Sequence, residues 1–254
     1  MNYFDLSGRV AVVTGGNGGI GLAMAEGLAG AGADIVVAGR NADKGATAVT
    51  KLRTSSVRST FIRVDVRDPE SISDLVESVV DQFGGLDIFV NNAGTNVRKQ
   101  PEEYALDEWQ TIIDTNLTSA FIASQKVYPH MRRAAGGKII NIGSMMSIFG
   151  ASFTVPYASS KGGIVQMTKG MACAWAKDNV QVNAVLPGWI DTALTQEGRQ
   201  QVEGLHERVE ARTPAGRWGI PQDLSGIAVF LAASASDFVT GTAIPVDGGY
   251  SVQG

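Results

Sequence analysis

Residues 9–21 read RVAVVTGGNGGIG: a β-branched apolar run ends at Thr14, glycines fill five of the next seven positions, and helical periodicity opens at Leu22 with Ala23, Met24 and Ala25. An apolar strand feeding a glycine turn and then a helix is how a βαβ unit begins. A turn this tight calls for positive φ, and the helix behind it offers bare backbone N–H groups to an anion. Gly15, Asn17, Gly19, Ile20 and Gly21 are therefore expected to border the diphosphate of a nucleotide. Glycine turns also serve ordinary loops; the flanking strand and helix raise this one above them.

Outward from the turn, short apolar runs alternate with helical stretches: DIVVAG (34–39), TFIRVD (60–65), LDIFVN (86–91), GKIINI (137–142), VQVNAVL (180–186) and TAIPVD (242–247). Several are apolar at nearly every position, as strands covered by helices on both faces must be. The expectation is α/β: a single-domain, Rossmann-like, doubly wound parallel sheet of seven strands flanked by helices, spanning residues 1–254. Ligands in such sheets bind beyond the C-terminal strand ends. The polar stretch of residues 189–219, with amphipathic helical pieces, interrupts the alternation and reads either as a substrate lid or as a surface excursion.

The strand ends carry the candidate chemistry. After strand two stands Arg40, with no acidic residue to take ribose hydroxyls; its guanidinium suits a 2′-phosphate and Gly39 leaves room, which favours NADP over NAD. Alternatively, Arg40 is a surface residue neutralised by Asp43. Tyr157 and Lys161 open a helix reaching about Lys177, and a spacing of four sets them one turn apart on one face. A cation there stabilises the phenolate and lowers its pKa from the ordinary ~10. Chance also yields Tyr-x-x-x-Lys pairs, but Ser144, just past the strand GKIINI, can address the same space.

Together these marks resemble the short-chain dehydrogenase/reductase family: the G-x-x-x-G-x-G spacing of TGGNGGIG, NNAG at residues 91–94, Asn116 in DTNLTSAF, Ser144 and Tyr157-x-x-x-Lys161. The resemblance implies a nicotinamide cofactor and interconversion of a secondary alcohol and a ketone. In it Tyr157 is the general acid/base, Ser144 polarises the substrate oxygen, and Lys161 also binds the nicotinamide ribose. Asn116 supports a water linked to the lysine. It further implies that Asp65, beside Val66, accepts from the adenine amino group, that Asn92 and Gly94 lie along the adenosine ribose, and that Pro187, Ile190 and Thr192 meet the carboxamide and phosphates. The wording of GSMMSIFG, LPGWIDT and IPVDGGY is similar to the gluconate and deoxygluconate dehydrogenase branch, hence a sugar acid, polyol or similar small polar substrate.

For substrate contacts, Arg98 can pair with an anionic group or sit exposed in its loop, while Met146 and Trp189 can form a wall or pack the core. Competing readings are a 3-oxoacyl thioester reductase, for which only Arg132 and Arg133 offer basic residues, and an inactive nucleotide sensor, which would have lost the tetrad. A net charge of -4 gives no electrostatic case for nucleic acid or membrane. His130 and His206 are too isolated to suggest a metal, and Cys173 has no partner for a disulfide. With no signal-peptide or spanning pattern, a cytoplasmic location is expected; the family resemblance further implies a homotetramer, with the helix of residues 164–175 able to supply one interface or simply pack on the sheet, and the C-terminal segment at another.

Overall fold

The computed structural model describes residues 2–254. β1 (Val10–Thr14), β2 (Asp34–Gly39), β3 (Ser59–Arg63), β4 (Ile88–Asn91), β5 (Gly137–Ile142), β6 (Val180–Pro187) and β7 (Ala243–Val246) form one sheet in the order β3-β2-β1-β4-β5-β6-β7. Every pairing is parallel, with Val12 opposite both Val36 and Phe89, and Ile140 opposite Val90 and Asn183. The seven-stranded doubly wound expectation holds.

Period-two alternation explains why both faces are apolar. Ala11, Val13, Ile35, Val37 and Val90 point into one cluster with Met24 and Leu28 of α1 (Gly19–Gly30) and Leu231 of α9 (Ser225–Ala232). Val10, Val12, Val36 and Phe89 point the other way, against α3 (Pro69–Phe83), α5 (Ser119–Arg133) and α6 (Val155–Trp175). Each fully buried Val or Leu contributes roughly 1.5–3 kcal/mol relative to exposure. The remaining helices are α2 (Ala42–Leu52), α4 (Leu106–Ile113), α7 (Ala193–Gln201) and α8 (Leu205–Arg212), the last two within residues 189–219.

The chain goes from β1 outward to β3 on one side and from β4 outward to β7 on the other, so the crevice between β1 and β4 is the topological switch point. A buried amide chain fixes α5 and α6 beside it. Asn91 Nδ2 donates to Asn141 Oδ1 (2.8 Å) and Ser124 Oγ (3.1 Å), and Asn141 Nδ2 donates to Thr168 Oγ1 (2.9 Å). The first helix begins at Gly19, not at Leu22: glycine's weak helix propensity hides a turn whose backbone already coils. On α6, Ile164, Met171 and Ala172 are buried within the chain, while Gly170, Cys173 and Ala174 are exposed. Among the described residues no helix is long and apolar enough to cross a membrane.

Candidate active site

The glycine turn is held by one hydroxyl. Thr14 Oγ1 donates to Val90 O (3.2 Å) and accepts from Asn92 N (3.0 Å) and Ala93 N (3.1 Å), using all of its hydrogen-bonding capacity. Asn92 Nδ2 returns to Thr14 O (2.9 Å) and Gly15 O (3.3 Å), locking the end of β1 to the loop after β4. Gly15 has φ +64°, and a methyl on Gly21 would collide with Asn92 Nδ2 and the Gly15 carbonyl. Side chains are thus excluded where a diphosphate would need bare backbone.

Beyond these strand ends opens a cleft of about 560 Å³. Gly15, Asn17, Gly19 and Ile20 line it from the turn, Arg40, Asp65 and Val66 from β2 and β3, Asn92 and Gly94 after β4, and Pro187, Ile190 and Thr192 after β6. Gly21 supports the turn from behind. The donors and the cradle fit a dinucleotide. Lys44, Arg67, Thr195 and the first turn of α7 also border the cleft; no motif announced them, since they come from helix starts and loops. Asp65 is not a free acceptor: Arg67 holds both its oxygens, Nε to Oδ1 (3.2 Å) and Nη2 to Oδ2 (2.7 Å), and that hydrogen-bonded guanidinium lowers its carboxyl to about 2. Adenine would have to share Asp65 with Arg67.

Ser144, Tyr157 and Lys161 meet on the opposite wall of the same cleft. Ser144 follows β5, and its Oγ accepts from Met146 N (3.1 Å), which leaves the hydroxyl proton for Tyr157. Pro156 occupies the first turn of α6, where its missing N–H costs nothing, and Tyr157 and Lys161 follow one turn apart. Lys161 is 4% exposed; its Nζ donates to Ile142 O (2.7 Å) and lies 5.6 Å from the centre of the Tyr157 ring. Burial alone lowers Lys161 to about 8. The lysine does not bring Tyr157 down as the spacing suggested. Burial raises the phenol, outweighing the opposing hydrogen bond from Ser144 and the charge of Arg98.

Asn116 stands behind this wall, not on it. It sits in a π-turn (Asp114–Thr118) joining α4 to α5, and its amide is spent on Thr95 N (2.8 Å), Thr95 O (2.9 Å) and Ser160 Oγ (3.1 Å). It therefore ties the loop after β4 to α6 between Tyr157 and Lys161. Met146 and Trp189, expected at the substrate wall, pack against apolar clusters, Trp189 edge-on to Trp218 and bordering a neighbouring pocket with Gly188 and Ile190. Arg98 reaches from its loop to α7, donating to Leu194 O (3.1 Å) and Gln201 Oε1 (3.3 Å). Among the described residues no group of His, Cys, Asp or Glu is arranged to hold a metal.

This fold and site define a class, that of nicotinamide-dependent oxidoreductases built on a doubly wound sheet, and the chain belongs to the short-chain dehydrogenase/reductase family. The family model described as enoyl-(acyl carrier protein) reductase matches residues 15–251. The chain is 42% identical over 251 residues to 2-dehydro-3-deoxy-D-gluconate 5-dehydrogenase of Dickeya dadantii, covering 98% of each protein. It is 39% identical to gluconate 5-dehydrogenase of Gluconobacter oxydans, covering 99% of this chain and 98% of that protein. A crystal structure of gluconate 5-dehydrogenase from Burkholderia cenocepacia, in complex with NADP and tartrate, superposes with a TM-score of 0.94 at 38% identity, covering 99% of this chain and 98% of that one.

Proposed function

We propose that this chain interconverts a secondary hydroxyl and a ketone on a small sugar acid, using NADP. The observation that carries the reading is the convergence of Ser144, Tyr157 and Lys161 on a cleft whose other wall is the glycine turn. The bound nicotinamide would supply or accept the hydride. Gly15, Gly19, Ile20 and Thr192 would hold the phosphates, with Asn92, Gly94, Asp65 and Val66 along the adenosine, Pro187 and Ile190 near the carboxamide, and Arg40 at the 2′-phosphate. Supporting NADP, Arg40 lines the cleft with Lys44 close behind on α2, so two cations face an anion there.

In reduction, the Tyr157 hydroxyl gives its proton to the carbonyl oxygen; in oxidation, the phenolate removes the hydroxyl proton. Ser144, its lone pair occupied by Met146 N–H, donates to the same substrate oxygen. Lys161 keeps one donor on Ile142 O and has others for the phenol and the cofactor ribose. Asn116 acts from behind by holding Thr95 and Ser160 in place. Arg98 is assigned to the substrate carboxylate: its guanidinium is held on α7, whose first turn borders the cleft, and its charge is felt at Tyr157. Residues 189–219 act as a lid over that position.

The family description raises an acyl-thioester substrate instead. The basic residues that would meet such a chain are engaged elsewhere, Arg132 near Asp178 (3.6 Å) and Arg133 against His130 (2.9 Å). Assay of D-gluconate and 2-dehydro-3-deoxygluconate against neutral polyols and 3-oxoacyl thioesters decides: NADP-linked turnover of the acids is expected, and turnover of thioesters alone would overturn the substrate reading. Dinucleotide binding with no turnover of any of them would favour a sensor. We also infer a cytoplasmic homotetramer, supported by the exposed Leu106 and Phe121 on α4 and α5 and by the exposed Val252 in the C-terminal segment.

A further inference from the structure

Arg98 lies on a loop without regular structure, residues 92–100, yet its assigned task needs a fixed position. Its guanidinium is held on α7, and a single phenol oxygen anchors its backbone. Tyr104 Oη donates to Val97 O (2.6 Å) and accepts from Lys99 N (3.3 Å), so it bonds the backbone on both sides of Arg98. The same hydroxyl lies 3.3 Å from Phe153 O, and Lys99 N also donates to Phe153 O (3.2 Å). Phe153 precedes Thr154, the residue at the head of α6, and Thr154 Oγ1 donates to Asn96 Oδ1 (3.0 Å). The loop carrying Arg98 is thus strapped to the start of the helix that carries Tyr157, four residues beyond Phe153. Glu108, paired with Lys99 at 2.6 Å and accepting from Ala105 N at 3.0 Å, holds the far side of the same turn. Burial raises the Tyr104 phenol, so it stays a donor across the working pH range.

We propose that Tyr104 is a positioning residue that sets the distance between Arg98 and Tyr157 and thereby governs recognition of anionic substrates. The proposal rests on the assignment of Arg98 to the substrate carboxylate. Tyr104 touches neither substrate nor reacting atoms in this account; it acts through Arg98. Without its hydroxyl the backbone on either side of Arg98 loses a common anchor, and the guanidinium is left to its contacts with α7 for its position.

A double-mutant cycle tests this, with the KM for D-gluconate, kcat and the Kd for NADPH measured on wild type, Tyr104→Phe, Arg98→Ala and the double variant. Tyr104→Phe is expected to raise KM about ten-fold, to shift the pH midpoint for oxidation upward and to leave the NADPH Kd within two-fold. In the Arg98→Ala background the same substitution is expected to add nothing. If Arg98→Ala leaves KM unchanged, or gluconate is not turned over, the Arg98 assignment falls and the Tyr104 inference with it. If Arg98→Ala raises KM but Tyr104→Phe does not, or the two effects multiply, the Tyr104 inference alone is overturned. Thr154→Val, which removes the strap to Asn96 with little change in volume, provides the same readout should Tyr104→Phe fail to fold.

Discussion

At the residue scale, the Tyr157 and Lys161 pair is governed by burial. Lys161 falls to about 8 while the phenol is raised, so the pair gives up its first proton near pH 8. Oxidation needs the pair one proton short and reduction needs it full. Oxidation kcat/KM should therefore rise with a single-proton slope as pH approaches about 8 and then level, while reduction falls beyond it. Lys161→Arg, with a side chain that stays charged, should move the midpoint upward; a profile flat from pH 6 to 10 would remove the pair from the proton path. The lowered lysine pKa has a sign for stability too: the folded state binds this proton less readily than the unfolded chain, so stability declines as pH falls from 10.5 toward 8. At the adenosine end, Arg40→Ala should raise the NADPH Kd at least ~10-fold and leave NADH nearly unchanged, as expected when a charge-assisted contact to one phosphate is lost. Equal effects on both cofactors, read by fluorescence titration, would release Arg40 from the 2′-phosphate. Ser144, Tyr157 and Lys161 were legible in sequence because a strand end and one helical turn fix their neighbourhood locally. The contacts of Arg98 and Trp189 were not, because their partners lie far along the chain, at Leu194 and Gln201 for one and at Trp218 for the other.

At the scale of elements, the site depends on α6 being held at one height against β4 and β5. The bonds Asn91 to Asn141 and Asn141 to Thr168 do this from inside the sheet, where water cannot replace them. Asn141→Leu takes one partner from Asn91, which keeps Ser124, and one from Thr168, which keeps Ile164 O, and should cost about 1–3 kcal/mol in denaturant unfolding. A loss below ~0.5 kcal/mol would show the network to be dispensable. The strands were readable because parallel strands with two covered faces are apolar throughout, and the predicted and observed limits of β2 and β5 coincide. The start of α1 was not, since helix propensity undervalues Gly19 and Gly21 where a backbone turn and a close approach to Asn92 choose glycine for another reason. The π-turn at Asn116 was equally hidden, because an inserted residue leaves no mark on periodicity over so short a span.

At the scale of the whole molecule, strand order alone puts the two halves of the reaction side by side. The switch between β1 and β4 opens the crevice, the outward course of β5 and β6 brings Ser144 and the Pro187 segment to its rim, and α6 returns Tyr157 and Lys161 to the same edge. Of the α6 stretch that the sequence offered to a second subunit, Ile164, Met171 and Ala172 are buried within the chain, while Gly170, Cys173 and Ala174 are exposed. Light scattering at micromolar concentration is expected to give four times the mass of 26.7 kDa, and a monomeric mass would contradict the tetramer. The most direct test of the account compares wild type with Tyr157→Phe in NADP-linked oxidation of D-gluconate, with the NADPH Kd measured on both. A ~10²–10⁴-fold loss of kcat at unchanged Kd is expected, the range for removing a general acid/base. A variant that keeps an appreciable fraction of the wild-type rate would contradict it.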